Sequence, residues 1–82
     1  MIVKNPLSTE KSIRLMESEN KMVFVVDSKA EKSEIRKELE QRFNVKIVSI
    51  NTSNDSKGRK KAYVKFSPET PAIDLATKLG LM

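Results

Sequence analysis

Met22-Val23-Phe24-Val25-Val26 is apolar at every position. Successive side chains of a strand point to opposite faces, so such a run needs cover on both and belongs inside a sheet. That requirement orders the rest of the chain. A domain of 82 residues buries about 60% of the surface its unfolded form exposes. It can flank one central strand with further strands and amphipathic helices, but little interior remains for a substrate pocket.

The flanking elements can be read on both sides. Ile2-Val3-Lys4 is an edge strand at most, ended by Pro6. Ser8 and Thr9 are N-cap residues for a helix from about Thr9 to Ser18, with Glu10 suited to its dipole. Thr9, Ile13 and Met16 share one side of that helix, and Asn20 stops it. After the central strand, Asp27-Ser28-Lys29 makes a turn. A second helix, roughly Glu31 to Arg42, carries Ile35, Leu39 and Phe43 at i, i+4 and i+8. Ser28 and Glu31 have capping-box spacing, a start two residues later being the alternative. Glu34–Lys37, Glu38–Arg42 and Arg36–Glu40 pair across its outer face.

Val45 to Thr52 predicts a strand, with Val45 and Ile47 on one face and Val48 and Ile50 on the other. Ser53-Asn54-Asp55-Ser56-Lys57-Gly58 is turn chemistry throughout. Ala62 to Phe66 returns as a strand with Ala62, Val64 and Phe66 inward and Tyr63 and Lys65 outward. Ser67-Pro68-Glu69 breaks it. A short helix follows, with Thr70 as N-cap, Pro71 at the first helical position, Gly80 past the end, and Ile73, Ala76 and Leu79 as its apolar side. Strand, helix and hairpin in this order predict a split β-α-β unit. A right-handed crossover joins strand 22–26 to strand 45–52, and strand 62–66 lies between them. The expected fold class is α+β, with helices packed on a small antiparallel sheet and residues 1–82 forming a single domain.

The surplus charge sits on the hairpin. From Asn44 to Phe66 six basic residues (Lys46, Lys57, Arg59, Lys60, Lys61, Lys65) face one acid, Asp55, whereas the other 59 residues carry ten of each sign. A positive patch concentrated on a rigid element is the electrostatic footprint of polyanion binding, most simply nucleic acid. In Lys57-Gly58-Arg59-Lys60-Lys61, four of five residues are cationic, and Gly58 leaves the backbone open to close approach by a phosphate. Tyr63, outward between Lys61 and Lys65, is placed to stack on a base or sugar. The bland reading is a soluble tip whose lysines guard strand edges, with Tyr63 as a good strand former. Lys4, Lys11 and Arg14 are weaker candidates for the same surface, the last two being neighbours on a helix.

Catalysis has little to stand on. The chain contains no cysteine and no histidine, which removes disulfides, thiolates, the commonest metal ligand and the commonest general base near neutral pH. Two glycines cannot build a phosphate cradle, and no acidic cluster has calcium or magnesium spacing. The expectation is no enzyme activity, no cofactor, no metal and no small-molecule substrate. No apolar run approaches a membrane span, and the start lacks the apolar core of a signal peptide, so a soluble intracellular protein is expected.

Thr9-Glu10-Lys11-Ser12, Phe43-Asn44-Val45-Lys46 through Val48-Ser49-Ile50-Asn51-Thr52, and Lys60-Lys61-Ala62-Tyr63-Val64 resemble large-subunit ribosomal protein family twenty-three. The likeness covers essentially the whole chain, in order. It implies an α+β fold with an antiparallel sheet, and binding to large-subunit rRNA, among neighbouring ribosomal proteins, beside the polypeptide tunnel exit in the cytoplasm. It further implies a docking surface for the signal recognition particle, nascent-chain chaperones or the translocation channel, without direct membrane insertion. On that resemblance Lys11 and the Lys57–Tyr63 hairpin map onto rRNA-contacting positions, and Glu10 onto an exposed acid presented to exit-site factors. Only Ser53 to Arg59 intervenes between the hairpin strands, far shorter than the tunnel-reaching loop of bacterial members, and the branch it resembles is archaeal. Glu31 stands where many relatives have a Thr cap. The competing reading is a free-standing RNA-chaperone or protein-interaction module.

Overall fold

The computed structural model describes residues 2–7, 9–54 and 58–79. Its elements are β1 (Val3–Pro6), α1 (Glu10–Glu19), β2 (Lys21–Val26), α2 (Lys32–Phe43), β3 (Ile47–Asn54), β4 (Lys60–Phe66) and α3 (Ala72–Lys78). The strands form one antiparallel sheet in the order β1-β2-β4-β3. The all-apolar run is therefore interior, and β4 lies between β2 and β3 as the split unit requires. β1 is an edge strand, which is where Pro6 costs no ladder bond. Ser8, Lys57 and Gly80, singled out in the sequence, lie outside the described residues, as do Asp55 and Ser56 of the hairpin turn.

All five residues from Met22 to Val26 are buried. Met22, Phe24 and Val26 pack with Ala62, Val64 and Phe66 of β4 and with Met16, Ile35, Leu39, Ala72, Leu75 and Ala76 of the helices. This is the core face. Val23 and Val25 are buried on the second face, where their β4 partners are Tyr63 and Lys61. The predicted stripe of α2 holds: Ile35 and Leu39 are fully buried and Phe43 packs against the cluster.

Four local expectations are corrected. The Ser28–Glu31 capping box does not form. Asp27 organises that turn instead, its carboxylate accepting from Lys29 N–H at 2.9 Å, and α2 is capped at Glu31, whose N–H donates to Glu34 Oε1 at 3.0 Å. Glu34 is thus used by the helix end rather than paired with Lys37. Val48 and Ile50 do not share a face. Two residues of β3 stand opposite one step of β4 between Ile47 and Ser49, a bulge that leaves Val48 55% exposed and returns Ile50 to the core side opposite Val64. In α3 the cap is Pro71, not Thr70, and the buried set is Ala72, Leu75 and Ala76. Ala76 and Leu79 of the predicted stripe do pack on the core, while Ile73, beside Ala72 on the helix, is exposed.

Four polar residues tie the elements together. Thr9 and Ser12 form a reciprocal capping box, Ser12 N–H donating to Thr9 Oγ1 at 3.2 Å and Thr9 N–H to Ser12 Oγ at 2.8 Å. Ser12 is buried because its hydroxyl also has the Leu7 and Thr9 carbonyls within reach. Asn20 ends α1 in the left-handed conformation, at φ 56°. Its amide nitrogen lies 3.1–3.2 Å from the carbonyls of Phe66, Ser67 and Thr70, and its oxygen accepts from Ala72 N–H at 2.6 Å. One side chain therefore closes α1 and satisfies the start of α3. Glu38 is more than a solvated helix residue: its carboxylate accepts from Val3 N–H at 2.7 Å and Ile2 N–H at 3.4 Å, holding β1 to α2.

Candidate nucleic-acid interface

Period two along β4 divides its residues between the two faces. Ala62, Val64 and Phe66 enter the core, and Lys61, Tyr63 and Lys65 stand on the second face. The register extends this face across three strands. Lys21–Lys65–Ser49, Val23–Tyr63–Asn51 and Val25–Lys61–Ser53 form successive rows, and Asn5 of β1 stands beside Val25. Lysines thus bracket a half-buried tyrosine, with neutral polar side chains along β3.

Two hollows gather the candidate cations around these rows. Beside Val23, Lys11 of α1 and Lys61 and Tyr63 of β4 line one hollow with Leu7, Thr9, Ser12 and Leu15. The Thr9–Ser12 box fixes the start of α1 and so sets Lys11 beside the sheet. Beside Val25, Lys4, Gly58, Arg59 and Lys60 line the other, with Asn5 and the turn residues Asp27 and Ser28. Lys4 and Lys11, weak candidates in the sequence, thereby join the hairpin lysines on one surface. Among the described residues Lys4, Lys11 and Lys65 have no ion-pair partner. Their charge is available to a ligand.

Other candidates are placed differently. Lys60 sits opposite Val26 and sends its ammonium to the Ala30 carbonyl at 2.7 Å, bracing the turn before α2 from the core side. Arg14 pairs with Glu10 at 2.8 Å, both side chains well exposed, so the acid is balanced by a cation one helical turn on. Gly58 has φ +80°, and an added Cβ would meet nothing. Its backbone conformation is one that favours glycine. Lys46, counted in the basic window, is held by Glu69 at 2.7 Å beside α3. That hydrogen bond, reinforced by charge, raises the Lys46 pKa and lowers that of Glu69.

Lys21, missed in the sequence, belongs to the second face and lies 3.5 Å from Glu19. Its signal was legible, since it precedes Val23 by two residues. Asn51 had no such signal, because its place beside Tyr63 depends on the bulge at Val48.

The family model described as ribosomal protein L23 matches residues 1–73. The chain belongs to the ribosomal protein L23 family. This is a family of ribosome components rather than enzymes. The large ribosomal subunit protein uL23 of Pyrobaculum aerophilum is 44% identical over 81 residues, covering 99% of this chain and 100% of its own length. That of Methanococcus vannielii is 40% identical over 80 residues, covering 98% and 93%. That of Tetrahymena thermophila is 43% identical over 81 residues, which are 99% of this chain but only about half (54%) of the relative. The archaeal likeness agrees with the short hairpin. Among the described residues no helix of this L23 family member is long and apolar enough to cross a membrane.

Proposed function

We propose that this L23 family member is a structural constituent of the large ribosomal subunit in the cytoplasm that binds large-subunit rRNA through the second face of its sheet. The observation that carries this reading is the convergence of Lys4, Lys11, Arg59, Lys61 and Lys65 around Tyr63 and the two hollows. Cations on a rigid sheet meet phosphates without first paying for loop ordering. Lys57 and Arg14 are further candidates for the same contacts. Neighbouring large-subunit proteins are the other contacts of such a component.

Titration of a large-subunit rRNA fragment at several salt concentrations tests this reading. Replacing Lys57, Arg59, Lys61 and Lys65 with Gln should weaken binding and remove about three units from the log–log salt slope, somewhat under one per phosphate contact. Neutralising Lys32, Arg36, Lys37 and Arg42 of α2 should do much less, since Arg36 and Arg42 already lie against Glu40 and Glu38. Equal losses would make the whole domain the binding surface. A free-standing RNA chaperone would separate from large subunits in a high-salt sucrose gradient, whereas a structural component cosediments.

The family further supports a site beside the tunnel exit, with Glu10 offered to the signal recognition particle, a nascent-chain chaperone or the translocation channel. Glu10 is exposed on α1, away from the core. Glu10→Ala should leave assembly intact and weaken recruitment of an exit factor. Blocked assembly would assign the residue to the rRNA side.

A further inference from the structure

We infer that the second face holds one unpaired nucleotide, its base stacked on Tyr63 and its edge read by Asn51. This rests on the rRNA-binding reading above and names the part of the nucleic acid that the surface takes. Tyr63 and Asn51 are partners in the register, so their side chains stand together on one face of adjacent strands. Such strands lie about 4.8 Å apart, so a ring stacked over one residue puts its edge beside the other. Asn51 is exposed, and its carboxamide has no hydrogen-bond partner among the described residues. It offers one acceptor and a pair of donors, the complement of a base edge.

Charge fixes the orientation. The cations of this face lie on β2, β4 and α1 (Lys21, Lys61, Lys65, Lys11), while the β3 positions Ser49, Asn51 and Ser53 are neutral. A nucleotide therefore runs its phosphates along the lysines and turns its base toward β3. Lys61 and Lys65 are four residues apart, about 13 Å along the strand, with Tyr63 midway. Their flexible side chains can lean inward from those positions to phosphates on either side of a stacked base. A duplex would keep its bases stacked within itself and leave both Tyr63 and Asn51 unused. The asparagine of the Asn51-Thr52 pair thus acquires a task, while Thr52 faces the other way, opposite Ala62 of the core.

The chain contains one tyrosine and no tryptophan, so its intrinsic emission reports Tyr63 alone. The experiment titrates the whole protein with nine-nucleotide A, U and C homopolymers and with an RNA duplex, following emission and affinity at several salt concentrations. Single strands should quench Tyr63 and the duplex should not. Tyr63→Leu should lower single-strand affinity about tenfold or more without changing the salt slope, and Tyr63→Phe should retain it. Asn51→Ala should compress the differences in affinity among the homopolymers. Binding that leaves Tyr63 emission and the Asn51→Ala preferences unchanged, with a normal salt slope, overturns this inference while rRNA binding stands. Failure to bind single strand, duplex and the large-subunit rRNA fragment alike overturns both.

Discussion

Phe66 and Lys65 are adjacent in β4, yet they belong to different problems. Phe66 is fully buried with Phe24, Val64 and the helices, whereas Lys65 is exposed beside Lys21 and Ser49. The core face is specified by volume and apolarity, and every neighbour constrains it. The second face is specified by charge and by a few polar atoms whose partners belong to another molecule. Stability and recognition therefore alternate along one strand at single-residue spacing. Substitutions on the two faces should separate them.

The largest effect should come from the core. Phe66→Ala removes a ring from the centre of the cluster and should cost about 3–5 kcal/mol of unfolding free energy. In a domain this small that approaches the entire stability. Denaturant unfolding measures it, and salt slopes on RNA should be unchanged wherever the variant remains folded. A loss under about 1 kcal/mol would mean that the core face is not close-packed there.

Next should be Asn20→Ala. The substitution removes the bonds to Phe66, Ser67, Thr70 and Ala72 and places alanine at positive φ. A loss of roughly 2–3 kcal/mol is expected, since buried backbone groups lose their partners. Asn20→Gly should recover only the part due to conformation. An Asn20→Gly variant as stable as the parent protein would mean the bonds contribute nothing.

The sequence made the core face legible and the junctions obscure. Ile35 and Leu39 announced α2 by spacing, Met22–Val26 announced an interior strand, and the place of β4 between β2 and β3 followed from connectivity, whereas the pairing of β1 did not. Those signals are local and periodic. The partners of Asn20 lie 46 to 52 residues away, and those of Glu38 lie 35 and 36 away, so nothing near either residue betrays its role. The same limit hid the α3 cap, because Thr70 has the local chemistry while Asn20 supplies the acceptor. The bulge at Val48 broke the alternation of β3 and with it the face assignment. For the interface, period two found Tyr63 and Lys65, but no pattern in the sequence brought Lys11 of α1 beside them.

Lys65→Gln sharpens the contrast from the other side. It should leave stability within about 0.5 kcal/mol, as for an exposed change away from caps and core. Its salt slope on rRNA should fall by somewhat under one unit. A stability loss as large as that of Phe66→Ala would erase the division of β4 between its two faces.

The smallest effect concerns Lys46, which sequence places with the basic hairpin and the structure places elsewhere. The contact with Glu69 lowers the carboxyl pKa and raises that of the ammonium, and both groups are at the surface. A depressed carboxylate stabilises the fold above its ordinary titration range, and that contribution fades as pH falls through the depressed folded value. The raised lysine contributes below its ordinary range, and its share fades as pH rises through the raised folded value. The pair is therefore intact across neutral pH, and its exposure keeps its weight small. NMR titration should show Glu69 ionising at lower pH than a free glutamate, and Lys46→Gln should return it to the ordinary range. Lys46→Gln should also change the rRNA salt slope less than Lys65→Gln, because its charge is already matched beside α3. Equal slopes would extend the binding surface around the sheet edge to that helix, and the boundary between the two faces would have to be redrawn.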